Sequence, residues 1–359
     1  MNKKPWQSLD ARTTRPTLET IARVAGVNKS TASRALRGDT AIAIETRERI
    51  QQLAAELQYE PNASARRLSY SRTDIIAFTT HSFVRSRGSA DPFLAELISA
   101  ISLEAAASSL DMLLCVAEPG PYEIDVYRRV VGGKHADGFI LMDLRPDDPR
   151  LPYLCAQGYP HVLFGRPSLD LEESRYYPYP WVETDNRHGA RVGAEHLIGL
   201  GHTRIALVGC GAEYICEIDR FAGYQDALAT AGIPYDPTIC TDGGWTQDDG
   251  YRFTRALLER SDPPTAVLAV SDVVAIGAMR AAMEMGRRPG PDFPIVGFDG
   301  LGLATYVTPA LTTLRQSIPQ VGRLLVQLLL SELREAPVPD RHILLQPELV
   351  IRASTQGDE

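Results

Sequence analysis

Cysteine is scarce in this 359-residue chain, and the five that occur (Cys115, Cys155, Cys210, Cys216 and Cys240) are scattered and odd in number. None of them forms a pair with metal-ligand spacing, so neither a disulfide scaffold nor a cysteine metal site is expected, and a reduced cytoplasm is the natural compartment. Long apolar runs are also missing. Stretches such as residues 324–330 fall far short of the ~20 residues that cross a bilayer, and no apolar segment follows the polar amino terminus. No membrane span and no secretory signal are expected. Catalytic signatures are missing as well: there is no phosphate-loop Lys–Ser/Thr pair, no nucleophile elbow and no metalloprotease helix. Gly209 and Gly211 start like a dinucleotide fingerprint, but Tyr214 stands where its third glycine belongs. His196 and His202 read as helix-end contacts rather than metal ligands. Neither an enzyme nor a cofactor is expected.

With 44% hydrophobic and 23% charged residues, the chain has ample apolar surface for ordinary cores, and its length suggests two or three folded units. The net charge of −8 conceals an asymmetry. Residues 1–70 carry 12 Lys and Arg against 7 Asp and Glu, a balance of +5, while the remainder carries 25 against 38, a balance of −13. A small basic head on a large acidic body suggests that the head meets a polyanion.

Residues 1–16 read as a loose polar tail. From Thr17 the pattern turns helical: Leu18, Ile21, Ala22 and Ala25 share one face, and Thr17 is placed to cap the first turn. Gly26 stops that helix, and a second is expected over residues 29–37 with Ala32, Ala35 and Leu36 inward. A third is expected over about 45–58 with Ile50, Leu53, Ala54 and Leu57 on one face. The outer face of the second helix holds Lys29, Ser30, Ser33, Arg34 and Arg37. Helix, glycine turn and polar helix together suit the major groove of DNA, where Arg34 can fork onto guanine while Thr31 and Ser33 suit phosphates. The alternative is a helical hairpin docked on the acidic body. Pro61 ends the head, and residues 62–69 are too short to hold a helix alone. The bulky Leu68 among small and basic residues there reads as a hinge element.

Beyond Asp74, apolar runs at 75–78, 112–116, 139–142, 162–164, 205–208, 266–270 and 295–298 alternate with amphipathic stretches at 92–110, 188–200, 221–231, 248–259 and 273–285. Continuous apolar strands alternating with helices imply parallel sheets covered on both faces. The body is too long for one comfortable open sheet, so two α/β lobes are expected. Their strand ends face a shared cleft where a ligand binds.

The chain resembles the LacI/GalR family of bacterial transcription regulators. The likeness is carried in order by Ala22–Val27 (ARVAGV), residues 30–34 (STASR), 45–49 (ETRER), 59–63 (YEPNA), 91–93 (DPF), 200–202 (LGH), 220–224 (RFAGY), 296–299 (VGFD) and 311–316 (LTTLRQ). It implies an all-α helix-turn-helix head at residues 17–60 and a hinge at 61–73. It also implies a periplasmic-binding-protein-like body of two parallel-sheet, Rossmann-like lobes at 74–359. Lobe 1 would comprise about 74–184 and 316–345, and lobe 2 about 185–315 and 346–356. The implied partners are pseudo-palindromic double-stranded operator DNA, a mono- or oligosaccharide effector and a second copy of the chain, at the nucleoid in the cytoplasm. The tail 346–359 lacks the heptads of a four-helix tether, so a dimer rather than a tetramer is expected.

Residues carried over for DNA are Thr17, Asn28, Lys29, Ser30, Thr31, Ser33, Arg34, Arg37, Thr46, Tyr59, Asn62, Ala65 and Leu68, the last as a wedge that kinks the minor groove. Those carried over for the effector are Asp91, Phe93, Arg166, Asp185, Arg220, Trp245, Ser271, Asp272, Asp299 and Gln316. A sugar asks for bidentate Asp and Arg partners with an aromatic plate, which this set contains. The most natural reading is a repressor released by its sugar; the alternatives are a co-repressor design in which a purine or sugar promotes DNA binding and, behind it, a periplasmic-type sugar-binding protein without a DNA role. Departures from the family pattern are Ala43 in place of a capping serine, Gly300 after Asp299, Ser271 before Asp272, and a long segment at 169–180.

Overall fold

A computed structural model describes residues 16–36, 38–59, 72–81 and 91–356 of the chain. The chain divides into two compact units, Met1–Thr73 and Asp74–Glu359. Arg37, Asn62, Ala65, Leu68 and most of the tail and hinge lie outside the described residues.

The first unit contains α1 (Leu18–Ala25), α2 (Lys29–Leu36) and α3 (Ile44–Glu56). Thr17 caps α1 through a reciprocal pair with Thr20, and Gly26 ends it at φ 67°, a left-handed conformation that costs glycine little. Ile21, Ala22, Ala25, Ala32, Ala35, Ile50, Leu53 and Ala54 form the core, with Leu36, Leu57 and Tyr59 half-buried against it. Small alanines at the crossings let three short helices pack closely. Ala43 offers no side-chain cap to α3.

The second unit holds two sheets. The first has strand order β10-β5-β4-β3-β1-β2, all parallel, from β1 (Ile75–Thr80), β2 (Asp111–Val116), β3 (Gly138–Leu141), β4 (His161–Phe164), β5 (Trp181–Thr184) and β10 (His342–Leu345). The second has order β11-β9-β8-β7-β6, from β6 (Ile205–Val208), β7 (Ala266–Ala269), β8 (Ile295–Asp299), β9 (Thr312–Arg315) and β11 (Glu348–Val350). It is parallel except for β11 against β9. Helices α4 (Pro92–Ala107), α5 (Glu123–Gly132), α6 (Arg150–Ala156) and α11 (Ile318–Arg334) belong with the first sheet. Helices α7 (Asn186–Gly199), α8 (Ile215–Thr230), α9 (Gln247–Leu258) and α10 (Asp272–Glu284) cover the second. The chain therefore passes between the lobes three times, after β5, after β9 and after β10.

Lobe 2 relies on glycine where its helices cross. A Cβ on Gly223 of α8 would lie 2.0 Å from the Arg187 carbonyl oxygen of α7. On Gly277 of α10 it would lie 2.0 Å from the Gln247 carbonyl oxygen of α9, and on Gly250 of α9 2.1 Å from that of Val274. The helices pack backbone to backbone. Lobe 1 in turn receives the first turn of α8. Ile215 is buried in the lobe 1 core beside Leu144 and Leu163, and its N–H donates to the Leu144 carbonyl at 2.9 Å.

Candidate functional site

In the head, Ala32 and Ala35 turn inward, leaving Lys29, Ser30 and Arg34 exposed and Thr31 and Ser33 half-buried on α2. Asn28 serves as the cap of α2: its Oδ1 accepts from the Thr31 N–H at 2.7 Å and from the Ser30 hydroxyl at 2.8 Å. Arg34 Nε donates to Asp39 Oδ2 at 2.8 Å, an exposed pair that costs little to exchange for another anion. Thr17 is exposed, and Thr46 and Tyr59 are half-buried.

In the body, a cavity opens between the carboxyl ends of the two sheets, enclosing about 770 Å³ counted out to its mouth. Asp91, Phe93, Arg220, Trp245, Ser271, Asp299 and Gln316 all line it. Arg220 is buried and fixed on three sides. Its Nε donates to Asn186 Oδ1 at 2.9 Å, Nη1 donates to the Val270 carbonyl, and its plane lies 3.8 Å over the Phe298 ring. Its Nη2 stands 3.9 Å from Asp299 Oδ1, which accepts from Gln316 Nε2 at 2.8 Å. Gln316 in turn accepts from the Thr184 hydroxyl at 2.7 Å, linking the ends of β5 and β9 where the chain changes lobe. Burial drives the Asp299 carboxyl well above the usual range, with Asp272 adding to the rise and Arg220 opposing it. Asp299 also holds φ 121°, a conformation side-chain-bearing residues rarely adopt, so backbone strain sits at the cavity floor. Trp245 Nε1 donates to Glu217 Oε1 at 3.0 Å, and Phe93 stacks with Phe164 at 6.1 Å.

Arg166, Asp185 and Asp272 do not line the cavity, and each is committed elsewhere. Asp185 caps α7 through the His188 N–H at 2.9 Å and accepts from Gln346 Nε2 at 3.0 Å. Asp272 is fully buried, accepting from the Leu301 N–H and the Thr313 hydroxyl. Arg166 bridges the lobes. Its Nη1 donates to Glu183 Oε2 at 2.9 Å and to Asp219 Oδ2, and its Nη2 to Asp219 Oδ1 at 2.7 Å. The sequence reading missed four polar lining residues: Asp143, Glu183, Thr184 and Asn186. All stand just after β3, on β5 or at the start of α7, where strand ends facing a cleft are the available signal.

Known proteins share this architecture. Residues 17–62 match bacterial regulatory proteins of the lacI family, and residues 194–355 match a periplasmic binding protein-like domain. The HTH-type transcriptional regulator CelR of Thermobifida fusca is 33% identical over 343 residues, 96% of this chain and 99% of that protein. The chain belongs to the LacI family. A solved CelR–cellobiose complex is 30% identical, with TM-score 0.68, over 95% of this chain and all of that one. The lac repressor dimer bound to operator and the anti-inducer ONPF gives TM-score 0.81 at 27% identity, over 96% of this chain and all of that one.

LacI-family members are DNA-binding transcriptional regulators, not enzymes. Gly209 and Gly211 stand where a dinucleotide fingerprint would begin, and Gly211 lies next to a carboxylate of the chain itself. A Cβ on Gly211 would lie 2.9 Å from Glu217 Oε1, and Glu217 Oε2 already accepts the N–H groups of Glu213 and Tyr214 at the start of α8. A carboxylate of the chain itself occupies the anion position. Among the described residues no helix is long and apolar enough to cross a membrane, and no group of His, Cys, Asp and Glu is arranged to hold a metal.

Proposed function

We propose that the protein is a repressor that binds pseudo-palindromic operator DNA as a homodimer, in the cytoplasm at the nucleoid, and is released by a neutral mono- or oligosaccharide. The observation that carries this reading is the cavity between the lobes, lined by Arg220, Asp299 and Gln316 together with the aromatic residues Trp245 and Phe93. Paired polar groups beside aromatic plates suit the hydroxyls and apolar faces of a sugar, and CelR was solved with one. Exposed Leu103 on α4 and Leu114 and Val116 on the edge strand β2 offer an apolar face to a second copy.

Charge narrows the effector class. Among the described residues, four carboxyl groups line the cavity (Asp91, Asp143, Glu183 and Asp299) against one cation, Arg220. A phosphate or uronate would add negative charge to a buried acidic site. In a thermal-shift panel of ribose, glucose, maltose, cellobiose and glucose 6-phosphate, at least one neutral sugar is expected to raise the melting temperature, and the phosphate none. The same neutral sugar should release an operator selected from a random-sequence pool, read by fluorescence anisotropy. Tighter operator binding with sugar would reverse the sign, and stabilisation by the phosphate alone would overturn the neutral class.

For the head, Thr17, Asn28, Lys29, Ser30, Thr31, Ser33, Arg34, Thr46 and Tyr59 form the DNA surface in this reading, with Arg34 as base reader. Arg34→Ala should weaken the selected operator by about 1–3 kcal/mol and flatten preference at one base pair per half-site. Titration against single-base operator variants checks this; uniform weakening across all of them would make Arg34 a phosphate contact.

A further inference from the structure

Glu183 enters the cavity from β5 and is 2% exposed. One of its carboxyl oxygens, Oε2, accepts from Arg166 Nη1 at 2.9 Å. The other, Oε1, is buried and has no hydrogen-bond partner among the described residues. A buried acceptor without a donor costs about 1–3 kcal/mol, so its persistence at the wall of a cavity calls for an occupant that supplies the donor. Arg166 does not supply it: its two terminal nitrogens donate to Glu183 Oε2, Asp219 and the Leu169 carbonyl, and its Nε, buried as well, makes no hydrogen bond to Oε1.

We propose that Glu183 is a ligand-contacting, specificity-determining residue: its Oε1 accepts a hydrogen bond from one hydroxyl of the effector while Oε2 holds Arg166. This rests on the sugar reading above. Because the same Arg166 grips Asp219 on α8, the contact ties one ligand hydroxyl to the bridge between lobes. A sugar lacking that hydroxyl, or carrying an ether there, leaves Oε1 unpaired.

Acidity gives a second handle. Burial pushes the Glu183 carboxyl up to about 7, with Arg166 opposing and Asp219 and Asp185 adding to the rise. Oε2 faces a donor, so in the protonated form the proton sits on Oε1 and turns the acceptor into a donor. Raising the pH from 6 to 8 removes that proton and should strengthen binding, because a hydroxyl bonds a carboxylate more strongly than a neutral acid. Asp91, Asp143, Asp299 and Arg220 line the same cavity, so the comparison is made against Glu183→Gln, which keeps all of them. In that variant the amide oxygen must turn to Arg166, and the NH2 group faces the cavity.

The experiment is calorimetric titration of the full-length protein with the tightest-binding sugar among ribose, glucose, maltose and cellobiose, and with its monodeoxy derivatives. Wild type should lose about tenfold or more with one derivative and gain several-fold from pH 6 to 8. Glu183→Gln should bind the parent sugar about tenfold more weakly, bind that derivative no worse than the parent, and lack the several-fold gain from pH 6 to 8 that Glu183 contributes. Glu183→Ala, checked for folding by its melting curve, should lose discrimination at the same hydroxyl. A Glu183→Gln protein with wild-type affinity and the wild-type pH profile overturns the contact while leaving the sugar reading intact. If no sugar of the panel binds wild type, the sugar reading falls and this inference with it.

Discussion

Asp299→Ala is expected to give a repressor that still holds operator DNA but is not released by a sugar concentration that strips the wild type. Asp299 closes the polar chain of the cavity floor, taking Gln316 at 2.8 Å and standing 3.9 Å from Arg220 Nη2. Removing its oxygens leaves the Gln316 amide without its acceptor and Arg220 without the neighbouring carboxyl, and takes a hydrogen-bonding partner from the ligand. Hydrogen bonds involving a charged group are worth about 1.5–3 kcal/mol, so sugar affinity should fall roughly 10- to 150-fold. Linkage then dictates the rest: a ligand too weakly bound to occupy the cavity at that concentration cannot shift operator affinity. Alanine at φ 121° adds backbone strain, so Asp299→Asn serves as the second variant. Asparagine keeps the shape and an oxygen for Gln316 but presents only a donor to the ligand. Operator anisotropy with and without sugar reads both variants. Release of Asp299→Ala at the wild-type sugar concentration would place the effector elsewhere.

Gly277→Val should be the most destabilising single substitution proposed for the body. A Cβ at this position would sit 2.0 Å from the Gln247 carbonyl oxygen and 2.7 Å from the Tyr251 nitrogen. Neither is the end of a flexible side chain that could swing away. Relief requires α9 and α10 to separate, which opens the contact that Gly250 makes from the other side and loosens the packing of Val274 and Ala278. Overpacking typically costs about 1–3 kcal/mol, and backbone clashes fall at the upper end or beyond. At roughly 2–4 °C per kcal/mol for a domain of this order of size, the melting temperature should drop by about 6–12 °C. Gly199→Ala is the control, since a Cβ there meets nothing within 4 Å. Scanning calorimetry separates the two; a Gly277→Val protein melting with the control would refute the tight crossing.

The strands buried on both faces were readable because nothing polar interrupts them: Ile205–Val208 and Ala266–Ala269 are apolar throughout. Four strands escaped that pattern. β5 ends in Glu183 and Thr184, β9 starts with Thr312 and Thr313, β10 opens on His342 and β11 on Glu348, so their apolar runs are broken. Helix α8 starts at Ile215, six residues before the periodic stretch, because its first turns carry Glu217, Asp219 and Arg220. Those residues are buried by partners distant in sequence, which no local period reveals. The seven lining residues came from family resemblance rather than spacing. Resemblance also brought in Arg166, Asp185 and Asp272, whose side chains are spent on a bridge, a helix cap and a buried loop. What separates the groups is where each side chain finds its partner, and that is a property of the assembled lobes.

The threefold passage between lobes also bears on how the chain is made. The strand β10, which completes the first sheet beside β5, begins 161 residues after that neighbour does, counting from Trp181 to His342. At about 5–20 residues per second of synthesis, β5 waits roughly 8–30 seconds for its outer partner, and α11 arrives little sooner. Throughout that interval an unpaired strand edge and an uncovered apolar face are exposed on the nascent chain, the circumstance in which holding chaperones are most needed. The head, by contrast, packs its core from residues that all lie before 60. On a ribosome, the unit that meets DNA is therefore complete well before the cavity that would govern its release.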